Sequence, residues 1–450
     1  MKTRLITAAS GVALLALVSA CASPSGDGNG SSGGSGGGGG GGNAAQEAAE
    51  ELGIDLSKCP TDITQPLTGT LKIGTPLALT GPAAPAVAPL GVAQQAAVDY
   101  FNETADLPVE LELIVKDDQF APDKTLAVAQ ELVQSDEVGV LNGVVGTANV
   151  AAAREVAQQY CVPLIAATSG GRSANDPTNY PFTVPWSLPS YVDVSAWVAH
   201  LEEDFPDGAK VAVYTANTES GEDYLEAIEE LTEGTNLEVV SETTIEAADS
   251  APPAAQVTTM KASGANVLFA APSPTGQCSS LMTEVANQGW DLDAFMLTTQ
   301  CTVLQLMEPA GAAADGVFAS TYINDPALDS AQDDEGVQEY VAAVEQYQPG
   351  KPIVGSTMSG FSEIEVLVRA IEQADGSPLG ASPLGILYAA THMTFQSKAM
   401  LPGVTYSLNY PQDQVAMESA QLSQFSDGQW EKVQVFDFNG ETTGKASIGD

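Results

Sequence analysis

Short apolar runs alternate with segments of helical period from Leu71 to Thr298, and this alternation restricts the fold more than any other feature of the sequence. Leu71–Gly74 reads as a strand, and Gly91–Phe101 as a helix with Ala93, Ala97 and Phe101 on one face. Val109–Val115 alternates as a strand, and Pro122–Val133 reads as a helix with proline in its first turn. Val138–Asn142 and Pro163–Ala166 are strands on either side of a helix at Ala148–Gln159. After Pro189 the pattern restarts. Helices at Tyr191–Leu201, Asp223–Leu231, Ala254–Ala262 and Ser279–Ala286 alternate with strands at Lys210–Tyr214, Leu237–Thr243, Asn266–Ala271 and Ala294–Thr298. Strands separated by helices are joined by crossovers, so they lie parallel with helices on both faces. Two such runs predict an α/β chain of two doubly wound parallel-sheet lobes. Open sheets of this type bind ligands at the carboxyl ends of their strands. Two facing lobes therefore predict a site in the cleft between them.

The chain before Leu71 has a different character. Lys2 and Arg4 precede an apolar run from Leu5 to Val18 that ends in Leu17-Val18-Ser19-Ala20-Cys21. The run is shorter than the ~20 residues a spanning helix needs, and it has the layout of a secretory signal peptide. Its end resembles the bacterial lipobox, which implies cleavage after residue 20 and acylation of Cys21. Residues 21–42 follow as a Gly/Ser-rich tether, which at this composition is a flexible coil of roughly 25 Å end to end. Asn43–Thr68 forms an N-terminal extension. The expected location is the extracytoplasmic face of the cell membrane, with lipid as the only membrane contact.

Charge and cysteines narrow the chemistry. Asp and Glu number 58 against 15 Lys and Arg, giving a net charge of −43. Nucleic acid, which needs a basic surface, is thereby disfavoured. With Cys21 assigned to lipid, Cys59, Cys161, Cys278 and Cys301 remain, and an exported chain pairs them as two disulfides with three possible connectivities. Spacing favours Cys59–Cys161 and Cys278–Cys301; the latter two follow successive predicted strands whose ends are neighbours. The two histidines, His200 and His392, stand alone, and no Cys-x-x-Cys occurs, so no metal is expected. The string Gly33–Gly37 lacks the strand and helix that a nucleophile elbow requires, and Gly440–Ala446 has the wrong spacing for a phosphate loop. The expectation is a protein without cofactor and not an enzyme.

Several stretches, in order, resemble the type I periplasmic binding proteins for branched-chain amino acids, over roughly residues 69–440. They are Leu71–Gly74 leading into Leu79-Thr80-Gly81-Pro82-Ala83-Ala84, then Val115-Lys116-Asp117-Asp118, Gly143-Val144-Val145-Gly146-Thr147-Ala148, and Val162–Ile165 with Ala167-Thr168-Ser169. Pro309–Val317 and Met358-Ser359-Gly360-Phe361 complete the set. The resemblance implies a three-strand hinge between one lobe at 69–188 plus 322–393 and another at 189–321 plus 394–450. It implies ligand contacts at Thr80, Gly146, Thr147, Ala148, Ala167, Thr168, Ser169, Ser220, Pro272 and Thr299. Thr147, Ala148, Ala167, Thr168 and Ser169 resemble the family's carboxylate cradle, and a helix starting near Thr147 offers free N–H groups to an anion. Thr147 is alternatively a helix cap. Val87, Trp186 and Pro272 are candidates for an apolar wall. The acid with which the family meets a ligand ammonium falls at Thr299, so that contact is missing from its usual place; Glu219, Asp223 and Trp186 are candidate substitutes. The implied role is capture of a small solute, a branched-chain amino acid or related carboxylate or amide, for delivery to the permease subunits of an ABC importer. A ligand-sensing receptor component with a membrane signalling partner is the alternative.

Overall fold

The computed structural model of the protein describes residues 41–246, 249, 251–272, 277–438, 440 and 442. Cys21, the signal segment and the tether up to residue 40 lie outside the described residues. The chain opens with α1 (Gly41–Glu51), then β1 (Thr70–Leu77), α2 (Ala84–Thr104), β2 (Glu110–Asp117), α3 (Pro122–Gln134), β3 (Val140–Asn142), α4 (Thr147–Tyr160), β4 (Leu164–Ala167) and β5 (Thr183–Pro185). These strands form one parallel sheet in the order β2-β1-β3-β4-β5.

The second run gives α5 (Ser190–Asp204), β6 (Ala209–Asn217), α6 (Glu219–Thr232), β7 (Leu237–Glu246), α7 (Ala254–Ala262), β8 (Val267–Ala271), α8 (Gln277–Asn287), β9 (Ala294–Leu297), α9 (Leu304–Met307) and β10 (Val317–Thr321). The chain then adds α10 (Glu335–Tyr347), α11 (Gly355–Asp375), α12 (Pro383–Ala390), the short pair β11 (Thr394–Phe395) and β12 (Tyr406–Ser407), and a terminal hairpin, β13 (Ser419–Ser426) and β14 (Gln429–Asp437). The second sheet runs β14-β13-β10-β9-β8-β6-β7. Its strands β6 to β10 are parallel, whereas β13 and β14 join antiparallel. The hairpin was not visible as a crossover pattern because it has no helix between its strands.

Helices α10 and α11 return to the first sheet and pack on α2. Gly360 allows the closest approach: a Cβ there would sit 2.4 Å from the Leu90 carbonyl oxygen. The N-terminal extension lies on the same lobe. Leu67 donates to the Ala381 carbonyl, Leu384 to the Ile63 carbonyl, and the Tyr388 hydroxyl to Glu51. Disulfide Cys59–Cys161 ties this extension to the end of α4, and Cys278–Cys301 ties α8 to the segment after β9.

The chain passes between the two sheets in three places. Trp186, fully buried, follows β5 and packs on Tyr406 at 5.5 Å. The segment after β10 pairs with the segment before β12, through Asn324 N–H to the Ala399 carbonyl and Leu401 N–H to the Tyr322 carbonyl. The third passage leads from β12 to β13. The two histidines have local partners. His200 lies 3.5 Å from Asp204 and beside Phe318, and His392 stacks on Tyr388.

Candidate functional site

Each sheet reverses its strand order once, between β1 and β3 in the first and between β6 and β8 in the second. Adjacent loops separate at such a point and leave a crevice beyond the carboxyl ends of the strands. The two crevices open onto one cavity of about 550 Å³. Its walls take Val87, Phe120 and Val145 from one side and Pro272, Val303 and Trp430 from the other. That volume is in the range of sites that enclose a small molecule.

Of the residues expected at the site, Gly146, Thr147, Ala148, Thr168, Ser169, Ser220, Pro272 and Thr299 line this cavity. Thr80 does not: its hydroxyl and N–H both turn to Asp117, which closes the loop after β1. Ala167 is fully buried within β4, where its carbonyl accepts from Trp186 N–H. Trp186 also lies away from the cavity wall, because it fills the passage between the sheets. Of the candidate substitutes for the missing acid, Glu219 lines the cavity but accepts from Ser173, and Asp223 accepts from Arg172 N–H outside the lining.

Helix α4 starts one residue earlier than its apolar pattern indicates, and this changes the role of Thr147. The N-cap is Gly146 at φ 98°, a conformation that favours glycine, and a Cβ there would lie 2.8 Å from the Phe120 ring. Thr147 is therefore inside the helix rather than capping it. Its Oγ1 accepts from Ser169 Oγ at 3.0 Å, which leaves its own O–H to donate elsewhere. The first N–H groups of α4 have no intrahelical acceptor by geometry, and Thr147, Ala148 and Asn149, which carry them, line the cavity.

The donors on the next loop are mostly engaged inside the protein. Thr168 N–H donates to the Val144 carbonyl and Ser169 N–H to the Ala167 carbonyl. The Thr168 hydroxyl donates to Glu363 at 2.8 Å. The cradle thus narrows to the start of α4 and the Thr147 hydroxyl.

Buried acids stand behind the wall, and sequence reasoning missed them. Glu363 on α11 is fully buried and accepts from Gln94 at 2.7 Å as well as from Thr168. Burial pushes its carboxyl up to about 7. Asp193 in the first turn of α5 is also fully buried, and burial pushes it up to about 6. It accepts from Thr299 N–H at 3.0 Å and from the Tyr224 hydroxyl at 2.7 Å. The acid absent at position 299 is thus present one layer behind it, on another element, where it fixes the loop rather than facing the cavity. Asp325, after β10, lines the cavity directly and is 7% exposed. The sequence signal for Asp193 and Glu363 is a lone carboxylate inside an otherwise apolar helical face.

Two parallel-stranded lobes, with the loops at their strand ends enclosing one solute-sized cavity, define a bilobed binding protein. The chain belongs to the periplasmic binding protein family, which matches residues 70–429. No curated protein matches it in sequence. Among solved structures it resembles a branched-chain amino acid ABC transporter protein from Thermus thermophilus with bound valine, at TM-score 0.71 and 17% identity over 84% of this chain and 98% of that one. It resembles a solute-binding protein of an ABC transporter from Rhodopseudomonas palustris BisB5 in complex with 3,4-dihydroxy benzoic acid, at TM-score 0.68 and 24% identity over 82% and 97%. A fatty acid ABC transporter substrate-binding protein from Thermomonospora curvata matches at TM-score 0.69 and 19% identity over 82% and 96%. Among the described residues no helix is long and apolar enough to cross a membrane.

Proposed function

We propose that the protein captures a small solute in the cavity between its lobes and hands it to the permease subunits of an ABC importer, while held at the extracytoplasmic face of the membrane by a lipid on Cys21. The observation that carries this reading is the cavity itself, formed where the strand ends of both lobes meet and fed by the N–H groups that start α4. An acceptor group on the solute suits those donors, and an apolar body suits Val87, Phe120, Val303 and Trp430. A branched-chain amino acid or a related small carboxylate or amide has this form. Lobe boundaries belong to the same reading: 69–188 with 322–393, and 189–321 with 394–450. The bonds of Asn324 and Leu401 favour a third crossing somewhat later than 393.

The test is a thermal-shift screen of small solutes on the wild type and on Ala148→Trp. A ligand of the folded state raises the unfolding midpoint by mass action. Ala148 is exposed and lines the cavity, so the larger ring obstructs the site without entering the core. Solutes that stabilise the wild type should bind the variant at least tenfold more weakly, about 1.4 kcal/mol. Solutes that bind both proteins alike would place the site elsewhere. Mass spectrometry of membrane-extracted protein checks the anchor: an unmodified N-terminus downstream of Cys21 would remove it.

A further inference from the structure

The cavity wall is unbalanced in charge. Among its described lining residues, none is Lys, Arg or His, while Glu219 and Asp325 are both carboxylates. Glu219 is engaged by the Ser173 hydroxyl. Asp325 differs. Its Oδ1 accepts from Ala327 N–H at 2.9 Å, which closes the turn after β10. Its Oδ2 lies against Gly355 at the start of α11, where a Cβ would be 2.2 Å away. Among the described residues no cationic side chain neutralises it, and Glu308 adds to the negative field. A buried carboxylate without a counter-charge is unfavourable unless something positive reaches it. Thr299 adds a second open group: its Oγ1 is buried at the cavity without a hydrogen-bond partner.

We propose that Asp325 is the counter-charge for a cationic nitrogen on the solute, so that the cavity selects amine-bearing solutes with an apolar body. This rests on the reading of the cavity as the solute site. It moves recognition of the ammonium from the loop after β9 to the segment after β10. A solute that also carries a carboxylate uses the free N–H groups of α4 for it, while the Thr299 oxygen accepts a further N–H hydrogen bond from the nitrogen. In its structural role Asp325 closes its own turn through Oδ1 and sets Oδ2 beside the start of α11. An asparagine supplies the turn-closing oxygen equally well, so Asp325→Asn removes the charge and keeps the turn.

The experiment measures affinities of two matched sets by calorimetry on the full chain. One set is leucine, 3-methylbutylamine and 4-methylpentanoate; the other is phenylalanine, 2-phenylethylamine and 3-phenylpropanoate. The wild type should bind the amine-bearing members at least tenfold tighter than the deaminated acids. Asp325→Asn should lose at least tenfold for those members and nothing for the acids. The wild-type comparison stands without any substitution, so it decides the amine preference even if the variant folds poorly. Deaminated acids binding as tightly as the amines would overturn the proposal; so would equal losses for all members in the variant. If solutes from a wider screen bind and are lost in Ala148→Trp but none carries an amine, the amine proposal falls and the solute site stands. If no solute responds to Ala148→Trp, both fall.

Discussion

Glu363 shows how far burial alone sets the chemistry of a side chain. Its carboxyl touches the hydroxyl that lines the cavity at Thr168, yet it is fully enclosed and pushed from 4.5 up to about 7. The folded state therefore favours the protonated form, whereas the unfolded chain ionises from about 4.5. The contribution of this group to stability is complete below pH ~4.5 and is lost as pH rises through 7. Glu363→Gln removes that ionisation. The new amide keeps an oxygen for one partner, and Gln94, whose own Oε1 is buried without a partner, can turn to meet it. Urea unfolding between pH ~5.5 and ~8.5 should lose of order 2 kcal/mol less in the variant than in the wild type. The same slope in both proteins would mean that Glu363 is ionised in the folded chain. Asp193, pushed up to about 6, contributes with the same sign over a lower window.

Among the elements, the two disulfides are of unequal reach. Cys59–Cys161 closes a separation of 102 residues and fastens α1 and the following segment to the first lobe. Cys278–Cys301 closes 23 residues between α8 and the loop that carries Thr299. In the chain-entropy account each stabilises by roughly 2–4 kcal/mol, and the longer loop by about 1 kcal/mol more. The paired Cys59→Ser, Cys161→Ser variant should therefore unfold at lower denaturant than Cys278→Ser, Cys301→Ser. The second pair should show the larger effect on solute affinity, because Cys301 follows Thr299 and Gln300 in the cavity wall. The reverse order of affinity losses would mean that this loop is held without its disulfide. Helix α4 has its own determinant in Gly146, where both φ and the Phe120 ring exclude a side chain.

Across the whole molecule, the loop after β4 reaches over the cleft. Arg172, after β4, donates its N–H to Asp223 and reaches Glu226 at 3.3 Å and Glu230 at 3.7 Å, all on α6 of the other lobe. Ser173 donates to Glu219 on the same helix. Each exposed ionic contact is weak by itself, because Glu226 and Glu230 are largely in solvent. Together they hold the lobes across the cavity mouth, and they neutralise part of a strongly acidic helix face. Arg172→Ala should speed release of a bound solute several-fold, with a smaller change in the association rate. Stopped-flow displacement measures this. An unchanged release rate would show that closure depends on other contacts. Domain closure around a ligand about a few connecting segments is the motion such a layout permits.

Local periodicity made the lobes legible. Apart from β5, which apolar spacing does not mark, the strands and helices from Leu71 to Thr298 form where that spacing places them, and parallel crossovers then oblige the loops at the strand ends to face one crevice. The loops that carry Gly146, Thr147, Thr168, Ser220 and Thr299, residues that the family resemblance singles out, therefore meet at the cavity, and Cys278 and Cys301, which follow successive strands, pair as expected. The rest came from contacts distant in sequence. Glu363 meets Gln94 across 269 positions, and Asp193 meets Thr299 across 106. No local pattern encodes such meetings. Whether a hydroxyl faces a ligand or the protein is likewise a tertiary matter: Thr80 turns to Asp117 and Thr168 to Glu363, while Thr147 is left open because a glycine, not its own side chain, begins the helix. The antiparallel hairpin β13–β14 completes a sheet begun two hundred positions earlier, and Asp325 becomes part of the cavity only because the chain returns between the lobes after β10. Spacing along the chain determines which elements form; packing between them decides which polar groups remain for a solute.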